Sequence, residues 1–314
     1  MTPILTITLN PALDISTSVH EVIPGPKLRC AVPQVDPGGG GINVSRAIAA
    51  LGGSSHALVA LGGTTGQRLA SRVISEGILL DAFPGPGETR QSLAVTDSQT
   101  GQQYRFLLPG SEWVASQVEA VQERISEATM GGGFVVLSGS QPPGIPTDFA
   151  RTLAMRLNGR ARFVVDTSGP ALRRLTEAPV SGIEVLRMDG EEAEDLAGHP
   201  LETRKDTADF AAALVARGGA KAVIVARGAD GSVLVDAAKR LFSKAAKVPV
   251  KSKVGAGDSF VGGFVLALSQ GDTTENALAR GVAAASAAVM TEATELCHRA
   301  DAERLIAECV VSEI

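Results

Sequence analysis

The segment VGAGDSFVGG, residues 254–263, carries the most structural information in the chain. Its small residues from Gly255 to Gly257 precede an apolar run that has the composition of a buried helix. Backbone amides at the start of a helix attract anions, and the helix dipole adds to that attraction. Asp258 then falls in the first turn, where a carboxylate either caps the helix or accepts a proton from an attacking hydroxyl. No Lys-Ser or Lys-Thr follows the glycines, so the segment is not a P-loop.

Around this segment, short apolar runs alternate with longer runs of helical period. The predicted strands are Ile4–Leu9, Ala57–Leu61, Phe134–Leu137, Phe163–Val165, Glu184–Leu186 and Ala222–Val225. The predicted helices are Ile42–Leu51, Gln67–Glu76, Val114–Ala128, Asp206–Arg217, Asp258–Ser269 and Thr274–Met290. The alternation predicts an α/β fold in three layers, with a central, mostly parallel sheet flanked by helices.

Two regions interrupt this alternation. Ser16–Ala31 is β-like but no helix follows it, and Ser92–Thr96 and Gln103–Leu108 predict a hairpin around the turn DSQTGQ. Together they predict a small antiparallel sheet, which cannot bury both faces alone and must cover the active site, pair with a second subunit, or both. We therefore expect a core of residues 1–14, 33–86 and 110–314, and a β-sheet lid of residues 15–32 and 87–109.

The composition excludes several classes of protein. The 314 residues include 34 acidic and 29 basic ones, for a net charge of −5, whereas a nucleic-acid-binding surface requires a basic excess. Three scattered cysteines, Cys30, Cys297 and Cys309, and an N-terminus without a basic, apolar leader indicate a reduced, cytoplasmic protein. The apolar stretch Ala277–Met290 contains Arg280 and predicts a buried helix, not a membrane span.

A second glycine run, PGGGGINVSRA, begins at Pro37 and leads into a predicted helix. Glycines let a backbone approach a ligand closely, and Asn43 in the first turn is placed to hydrogen-bond a sugar hydroxyl. Taken alone, the run is explained better by a flexible turn with Asn43 near a helix cap. A dinucleotide site fits poorly, because no convincing strand precedes the run and no acidic residue ends a second strand at the expected distance.

Three segments together resemble the signatures of the ribokinase-like, or PfkB-type, carbohydrate kinases: TLNPALD at 8–14, PGGGGINVSRAIAALGG at 37–53 and VGAGDSF at 254–260. The resemblance spans essentially the whole chain, with the segments in the family's order. The phosphofructokinase branch is favoured by four more: KLRC at 27–30, TRQ at 89–91, QYRFLLPG at 103–110 and SGSQPPG at 138–144.

Within that branch, 1-phosphofructokinases and tagatose-6-phosphate kinases typically carry a lysine where this chain has Gly40. The four-glycine form is similar to that of the minor bacterial 6-phosphofructokinase. The resemblance therefore implies an ATP-dependent kinase that phosphorylates the 1-hydroxyl of fructose 6-phosphate. Tagatose-6-phosphate kinase and 1-phosphofructokinase stay open as alternatives, and so does a sugar-phosphate-binding protein with weak or lost kinase activity.

The resemblance also implies roles for matching residues. The catalytic base would be Asp258, with an anion hole of Gly255, Ala256 and Gly257. The sugar hydroxyls would be held by Asp14, Gly39, Gly40 and Asn43. The existing phosphate would be surrounded by Lys27, Arg29, Arg90, Arg105 and Ser138 or Ser140. Several guanidinium and ammonium groups suit a dianion, although a solvated surface also presents scattered basic residues.

Three departures from the family pattern fall on the nucleotide side. RMDGEE at 187–192 stands for Lys-Pro-Asn-x-x-Glu, ARGADG at 226–231 stands for Ser-x-Gly-x-x-Gly, and Lys253 replaces a Thr or Ser. The implied ATP contacts are Arg187, Asp189, Arg227, Gly228, Gly231, Gly255 and Gly257. Glu192 and Asp189 would hold Mg²⁺, directly or through water, with K⁺ as an optional further ion. The implied partners are a sugar phosphate, ATP and a second copy of the chain joined through the lid, with no nucleic acid and no membrane.

Overall fold

The computed structural model describes residues 1–292 and 294–314. Its strands are β1 Ile4–Thr8, β2 Ala12–Val19, β3 Gln34–Gly38, β4 His56–Leu61, β5 Leu79–Pro84, β6 Arg90–Asp97, β7 Gln103–Leu107, β8 Phe134–Ser138, β9 Arg162–Asp166, β10 Ile183–Met188, β11 Ala222–Ala226, β12 Gly231–Asp236, β13 Arg240–Lys244 and β14 Val311–Glu313. Its helices are α1 Gly40–Ala50, α2 Gly63–Ser75, α3 Ala115–Ala128, α4 Phe149–Leu157, α5 Gly169–Glu177, α6 Gly190–Ala197, α7 Arg204–Ala216, α8 Ala256–Ser269, α9 Thr274–Ala288 and α10 Arg299–Leu305.

The main sheet has ten strands in the order β14-β13-β12-β11-β10-β9-β8-β1-β4-β5. The strands from β11 to β5 are parallel, and β12, β13 and β14 extend the sheet in antiparallel fashion. Separate apolar clusters, one with Phe149 and Leu153 of α4 and one with Phe264 of α8, cover its two faces. The predicted three-layer α/β fold is therefore confirmed.

A second sheet of four strands, in the order β3-β2-β6-β7, stands beside the main one. The hairpin of β6 and β7 is antiparallel, as is the pair of β2 and β3, but β2 and β6 run parallel. The sheet is thus mixed, where the sequence predicted antiparallel pairing throughout. The reason lies in the connections: β2 follows β1 and β6 follows β5, and both of those strands point the same way in the main sheet.

The β-like segment 16–31 is only partly a strand. β2 ends at Val19, and residues 20–33 form an exposed connection without regular structure. Pro24 and Pro26 lie in this connection, and a proline has no amide to give to a strand ladder. The β-like character predicted for Ser16–Ala31 therefore corresponds to a strand only as far as Val19.

Helix α2 begins at Gly63, four residues before the predicted start. The carboxylate of Glu88 accepts hydrogen bonds from the amides of Thr64 and Thr65, which satisfies the first turn from a distant part of the chain. Among the described residues, no helix is long and apolar enough to cross a membrane.

Candidate active site

A cleft of about 640 Å³ opens between the second sheet and the loops that follow β1 and β8. Ligands of α/β proteins commonly bind at the carboxyl ends of parallel strands, which is the edge that this cleft occupies. Of the residues predicted to form the site, eight line the cleft: Asp14, Gly39, Asn43, Arg90, Arg105, Ser140, Gly255 and Asp258. The first and last of these residues, Asp14 and Asp258, are 244 positions apart in the sequence, and the fold brings them to one cleft.

The start of α8 presents Asp258 to the cleft. Gly255 precedes the helix with φ 74°, a left-handed conformation that glycine adopts without strain. Asp258 Oδ2 accepts a 3.0 Å hydrogen bond from Nδ2 of Asn43, and Oδ1 lies 3.4 Å from the hydroxyl of Ser138. Desolvation, followed by the nearby charge of Asp166, raises the pKa of Asp258 to about 6. A carboxylate of this basicity is still ionised at neutral pH and accepts a proton more readily than an ordinary one.

A buried cation lies next to this carboxylate. Arg187 Nη1 is 3.1 Å from Oδ1 of Asp166, and the hydroxyl of Ser138 lies 3.4 Å from a carboxylate oxygen of both Asp166 and Asp258. A Cβ added to Gly257 would come within 3.0 Å of Arg187 Nη1, so the guanidinium packs directly against the first turn of α8. The amides of that turn and the charge of Arg187 together favour negative charge in front of the helix.

Asp14 marks the sugar side of the predicted site. It faces Asp36 across the pairing of β2 with β3. Burial raises the pKa of Asp14, while a hydrogen bond with Ser92 and the charges of Arg90 and Arg105 lower it. The two arginines that were predicted to bind phosphate thus lie near the carboxylate that was predicted to bind hydroxyls.

The four basic residues of the predicted phosphate cage divide into two pairs. Arg90 donates from Nε and Nη2 to the carbonyl of Asn10 at 3.3 and 3.2 Å, which fixes its guanidinium in the cleft wall, and Arg105 lines the same wall from β7. Lys27 and Arg29 lie on the exposed connection 20–33 and do not line the cleft of their own chain. Two of the four predicted basic residues, Arg90 and Arg105, therefore line the cleft and the other two do not.

The glycine run packs α1 closely against the loop that follows β8. A Cβ on Gly40 would lie 2.5 Å from the amide nitrogen of Gly139 and 2.5 Å from the hydroxyl of Ser138. Gly39 has φ 113°, which again requires glycine. Any side chain at residue 40 therefore demands that the backbone of residues 138 and 139 move.

The predicted nucleotide contacts are less well supported. Arg227 is not among the residues that line the cleft: Nη1 donates to the carbonyls of Leu201 and Thr203, and Nη2 donates to that of Glu202. These bonds hold the connection between α6 and α7, so the geometry gives Arg227 a structural role. Gly228 forms part of a short turn, and Gly231, with φ 135°, packs on the carbonyl of Ser243.

The predicted metal ligands also serve the fold. Asp189 and Glu192 form a capping box at the start of α6, in which each side chain accepts the backbone amide of the other at 2.9 Å. Burial, Asp189 and Asp166 raise the pKa of Glu192, so a cation placed here would relieve repulsion between carboxylates. Among residues 1–292 and 294–314, no three acidic, histidine or cysteine side chains are arranged to hold a metal alone. The donor set fits Mg²⁺ that retains waters and binds phosphate oxygens.

Four further residues belong to the site but were not singled out from the sequence: Asn10, Ser92, Asp166 and Thr294. Asp166 carried a usable signal, because it directly follows a predicted parallel strand and so falls at the edge where ligands bind. Thr294 carried none, since it follows α9 in a segment without a motif.

The comparisons with known proteins agree with this geometry. A sequence profile described as pfkB family carbohydrate kinase matches residues 8–301. The ATP-dependent 6-phosphofructokinase isozyme 2 of Mycobacterium tuberculosis is 37% identical over 304 residues, which cover 96% of this chain and 88% of the relative. The 1-phosphofructokinase of Xanthomonas campestris is 32% identical over 273 residues, 86% of this chain and 85% of the relative.

Solved structures give the same result. The phosphofructokinase-2 of Escherichia coli in complex with potassium superposes with a TM-score of 0.92 and 36% identity, covering 98% of this chain and 99% of that one. A tetrameric inhibited form of the same enzyme superposes with a TM-score of 0.90, again at 36% identity and with the same coverage.

Proposed function

The chain belongs to the pfkB family of carbohydrate kinases, and on that premise we propose that it transfers the γ-phosphoryl group of ATP to the 1-hydroxyl of fructose 6-phosphate. One observation carries the proposal: Asp258, a base, and the cations Arg90 and Arg105 line the same cleft. A hexose phosphate offers the matching pair of groups, a hydroxyl to deprotonate and a dianion to hold.

In the proposed reaction, Asp258 accepts the proton of the 1-hydroxyl while the hydroxyl oxygen forms a bond to the γ-phosphorus. The bond from that phosphorus to the bridging oxygen breaks, and ADP leaves with the electron pair. The amides of Gly255 to Gly257 and the guanidinium of Arg187 stabilise the charge on the group in transfer. Glu192 and Asp189 are the proposed protein ligands of Mg²⁺, which would supply neutralising charge to the phosphate oxygens.

We choose fructose 6-phosphate over the other sugar phosphates as the proposed substrate because residue 40 is a glycine. The position is closed by Ser138 and Gly139, so the chain does not accommodate the lysine that is typical of the alternative kinases. Similarity to a 1-phosphofructokinase keeps fructose 1-phosphate as the second candidate. An assay of ADP release with fructose 6-phosphate, fructose 1-phosphate, tagatose 6-phosphate and fructose tests the choice. A higher kcat/KM for any of the other three would contradict the proposal.

We also propose that the second sheet and the connection 20–33 act as a lid and join two subunits. Large apolar side chains are exposed there, including Val32 at 94%, Leu107 at 65% and Phe106 at 54%. β3 and β7 are both open edges of a small sheet, which favours pairing with another chain. A single species of twice the chain mass in sedimentation supports this arrangement, and a monomer at micromolar protein, with and without substrate, rules it out.

Lys27 and Arg29 remain phosphate ligands in this proposal only if the dimer brings them to the partner's cleft. Their replacement by alanine should then weaken sugar-phosphate binding in the dimer, and should have no effect in a monomeric variant.

Because ATP is a metabolite of the cytoplasm, the proposed activity belongs in that compartment, which cell fractionation tests. Activity in KCl compared with tetramethylammonium chloride at equal ionic strength tests the optional K⁺.

A further inference from the structure

Arg46 lies one turn after Asn43 in α1 and is almost buried, with 11% of its side chain exposed. Its guanidinium contacts four separate segments of the chain. Nε pairs with Glu76 at 2.6 Å, at the end of α2, and Nη1 lies 3.2 Å from the carbonyl of Pro37. The same Nη1 lies 3.3 Å from the carbonyl of Thr294 and 3.5 Å from Oδ1 of Asn43.

These contacts decide which end of the Asn43 amide faces Asp258. A guanidinium only donates hydrogen bonds, so the atom of Asn43 that faces Arg46 must be the carbonyl oxygen. The amide nitrogen then points to the other side, where it donates to Oδ2 of Asp258 at 3.0 Å. Arg46 thereby favours the one orientation of Asn43 in which the carboxylate receives a donor.

Arg46 also fixes one wall of the cleft. Thr294 lines the cleft, and its backbone carbonyl is held by Arg46 while its hydroxyl donates to Oδ2 of Asp36 at 2.6 Å. Asp36 and Pro37 both belong to β3 of the second sheet. One buried cation therefore ties β3 and the segment around Thr294 to the first turn of α1.

From this geometry we propose that Arg46 is a positioning residue, which orients Asn43 towards Asp258 and holds Thr294 in the cleft wall. The proposal rests on the proposed function, because it concerns the same base. It extends that function to a residue that touches neither substrate nor nucleotide. The alternative is that Arg46 only stabilises the packing of α1 against α2, through its ion pair with Glu76.

The pKa of Asp258 distinguishes the two roles. The hydrogen bond from Asn43 lowers that pKa, so an Asn43 that turns away lets it rise. The other charged groups around Asp258 are Asp166 and Arg187, with Asp14, Arg90 and Arg105 in the same cleft, and all of the variants below leave them in place. If Arg46 served only stability, its replacement would leave the pKa of Asp258 unchanged.

The test compares Arg46→Met with Arg72→Met, an exposed arginine of α2 that serves as the matched control. Titration of the Asp258 carboxyl carbon by NMR, assigned with Asp258→Asn, requires no activity. For Arg46→Met we expect this pKa and the acidic limb of kcat to move to higher pH, and kcat to fall about tenfold. We expect the Kd for fructose 6-phosphate without nucleotide to rise about three- to tenfold. Arg72→Met should match the parent in the pKa of Asp258, the acidic limb of kcat, the value of kcat and the Kd for fructose 6-phosphate.

Two further variants keep the test decisive. Arg46→Lys retains the charge beside Glu76 but lacks the forked donors, so it should fold and show a smaller shift of the same sign. In an Asn43→Ala background, Arg46→Met should add no further change to the pKa, because the two residues act through one hydrogen bond. An Asp258 pKa at the parental value in Arg46→Lys and Arg46→Met overturns the proposal, as does a full additional shift in the Asn43→Ala background. If the unsubstituted protein has no kinase activity, the proposed function is contradicted. The NMR titration of Asp258 then still tests the role of Arg46.

Discussion

The side-chain amide of Asn43 donates a 3.0 Å hydrogen bond to Oδ2 of Asp258, so the first turns of α1 and α8 meet at a single carboxylate. Each helix begins behind a glycine of positive φ, Gly39 and Gly255. The positive ends of two helix dipoles therefore point at the same place, and both favour the ionised form of Asp258. Burial opposes them, and the balance leaves a base whose pKa is about 6.

Asp258→Asn should abolish most of the turnover and leave binding intact. An amide has nearly the shape of the carboxylate but cannot accept the proton, so kcat should fall by about two decades or more. The Kd for fructose 6-phosphate, measured by calorimetry, should stay within about threefold of the parent. Turnover near the parental rate would show that another group is the base.

The rate should depend on pH with a defined sign. The base must be ionised to work and its pKa is about 6, so kcat should rise with pH through about 6 and fall about tenfold per unit well below it. The substrate's phosphate titrates in the same range. Ser138→Ala separates the two: the lost hydrogen bond raises the pKa of Asp258 and moves the acidic limb upward, and the substrate's own ionisation cannot respond. An unmoved limb assigns it to the substrate.

Arg90→Ala and Arg105→Ala should each weaken binding of fructose 6-phosphate by about tenfold to a hundredfold, the effect of one charge-assisted hydrogen bond. Binding of ATP should change far less, since the predicted nucleotide contacts from Arg187 to Gly231 do not line the cleft that holds Arg90 and Arg105. Arg72→Ala is the control for loss of an exposed positive charge. Unchanged calorimetric affinity in both cleft variants would mean that these arginines belong to a solvated surface.

Gly40→Ala should damage the site through contact alone. Its Cβ would lie 2.5 Å from Gly139 N, so either the loop after β8 moves or α1 shifts, and both displace groups that contact Asp258. We expect kcat/KM to fall at least about tenfold. Gly131→Ala is the matched control, because open space surrounds that glycine and its φ is not positive. Parental kinetics in Gly40→Ala would remove the steric argument for the choice of sugar phosphate.

Arg227→Met separates a structural role from nucleotide binding. The variant loses hydrogen bonds to three carbonyls and an ion pair with Asp230, so the free energy of unfolding should drop by about 2–4 kcal/mol. The KM for ATP should remain within about twofold. Chemical denaturation and steady-state kinetics of the same preparation provide both numbers, and a large rise in that KM with parental stability would restore Arg227 as an ATP contact.

The sequence predicted the layered fold because buried parallel strands and amphipathic helices leave a strong period in the chain. It predicted Asp258 and Asn43 because both sit in the first turn of a helix behind glycines. It did not predict the direction of β2 against β6, since that depends on where two core strands end in space. It also assigned Arg227 and Asp189 to the nucleotide site by motif, and that assignment stays a prediction. The hydrogen bonds that both side chains make to neighbouring turns could not be predicted, because they depend on distances between segments of the folded chain.

The position of β1 has a consequence for how the chain is made. β1 lies between β4 and β8 in the main sheet, so the first strand to be synthesised gains its second neighbour only after Ser138 has been added. By then the whole of β2, β3, β6 and β7 has emerged, together with their exposed apolar side chains. During much of translation, the nascent polypeptide therefore contains a β1 that lacks its second neighbouring strand. It also contains the second sheet with its apolar side chains exposed. We expect slow folding of high contact order, and a need for chaperones that bind the first 130 or so residues on the ribosome.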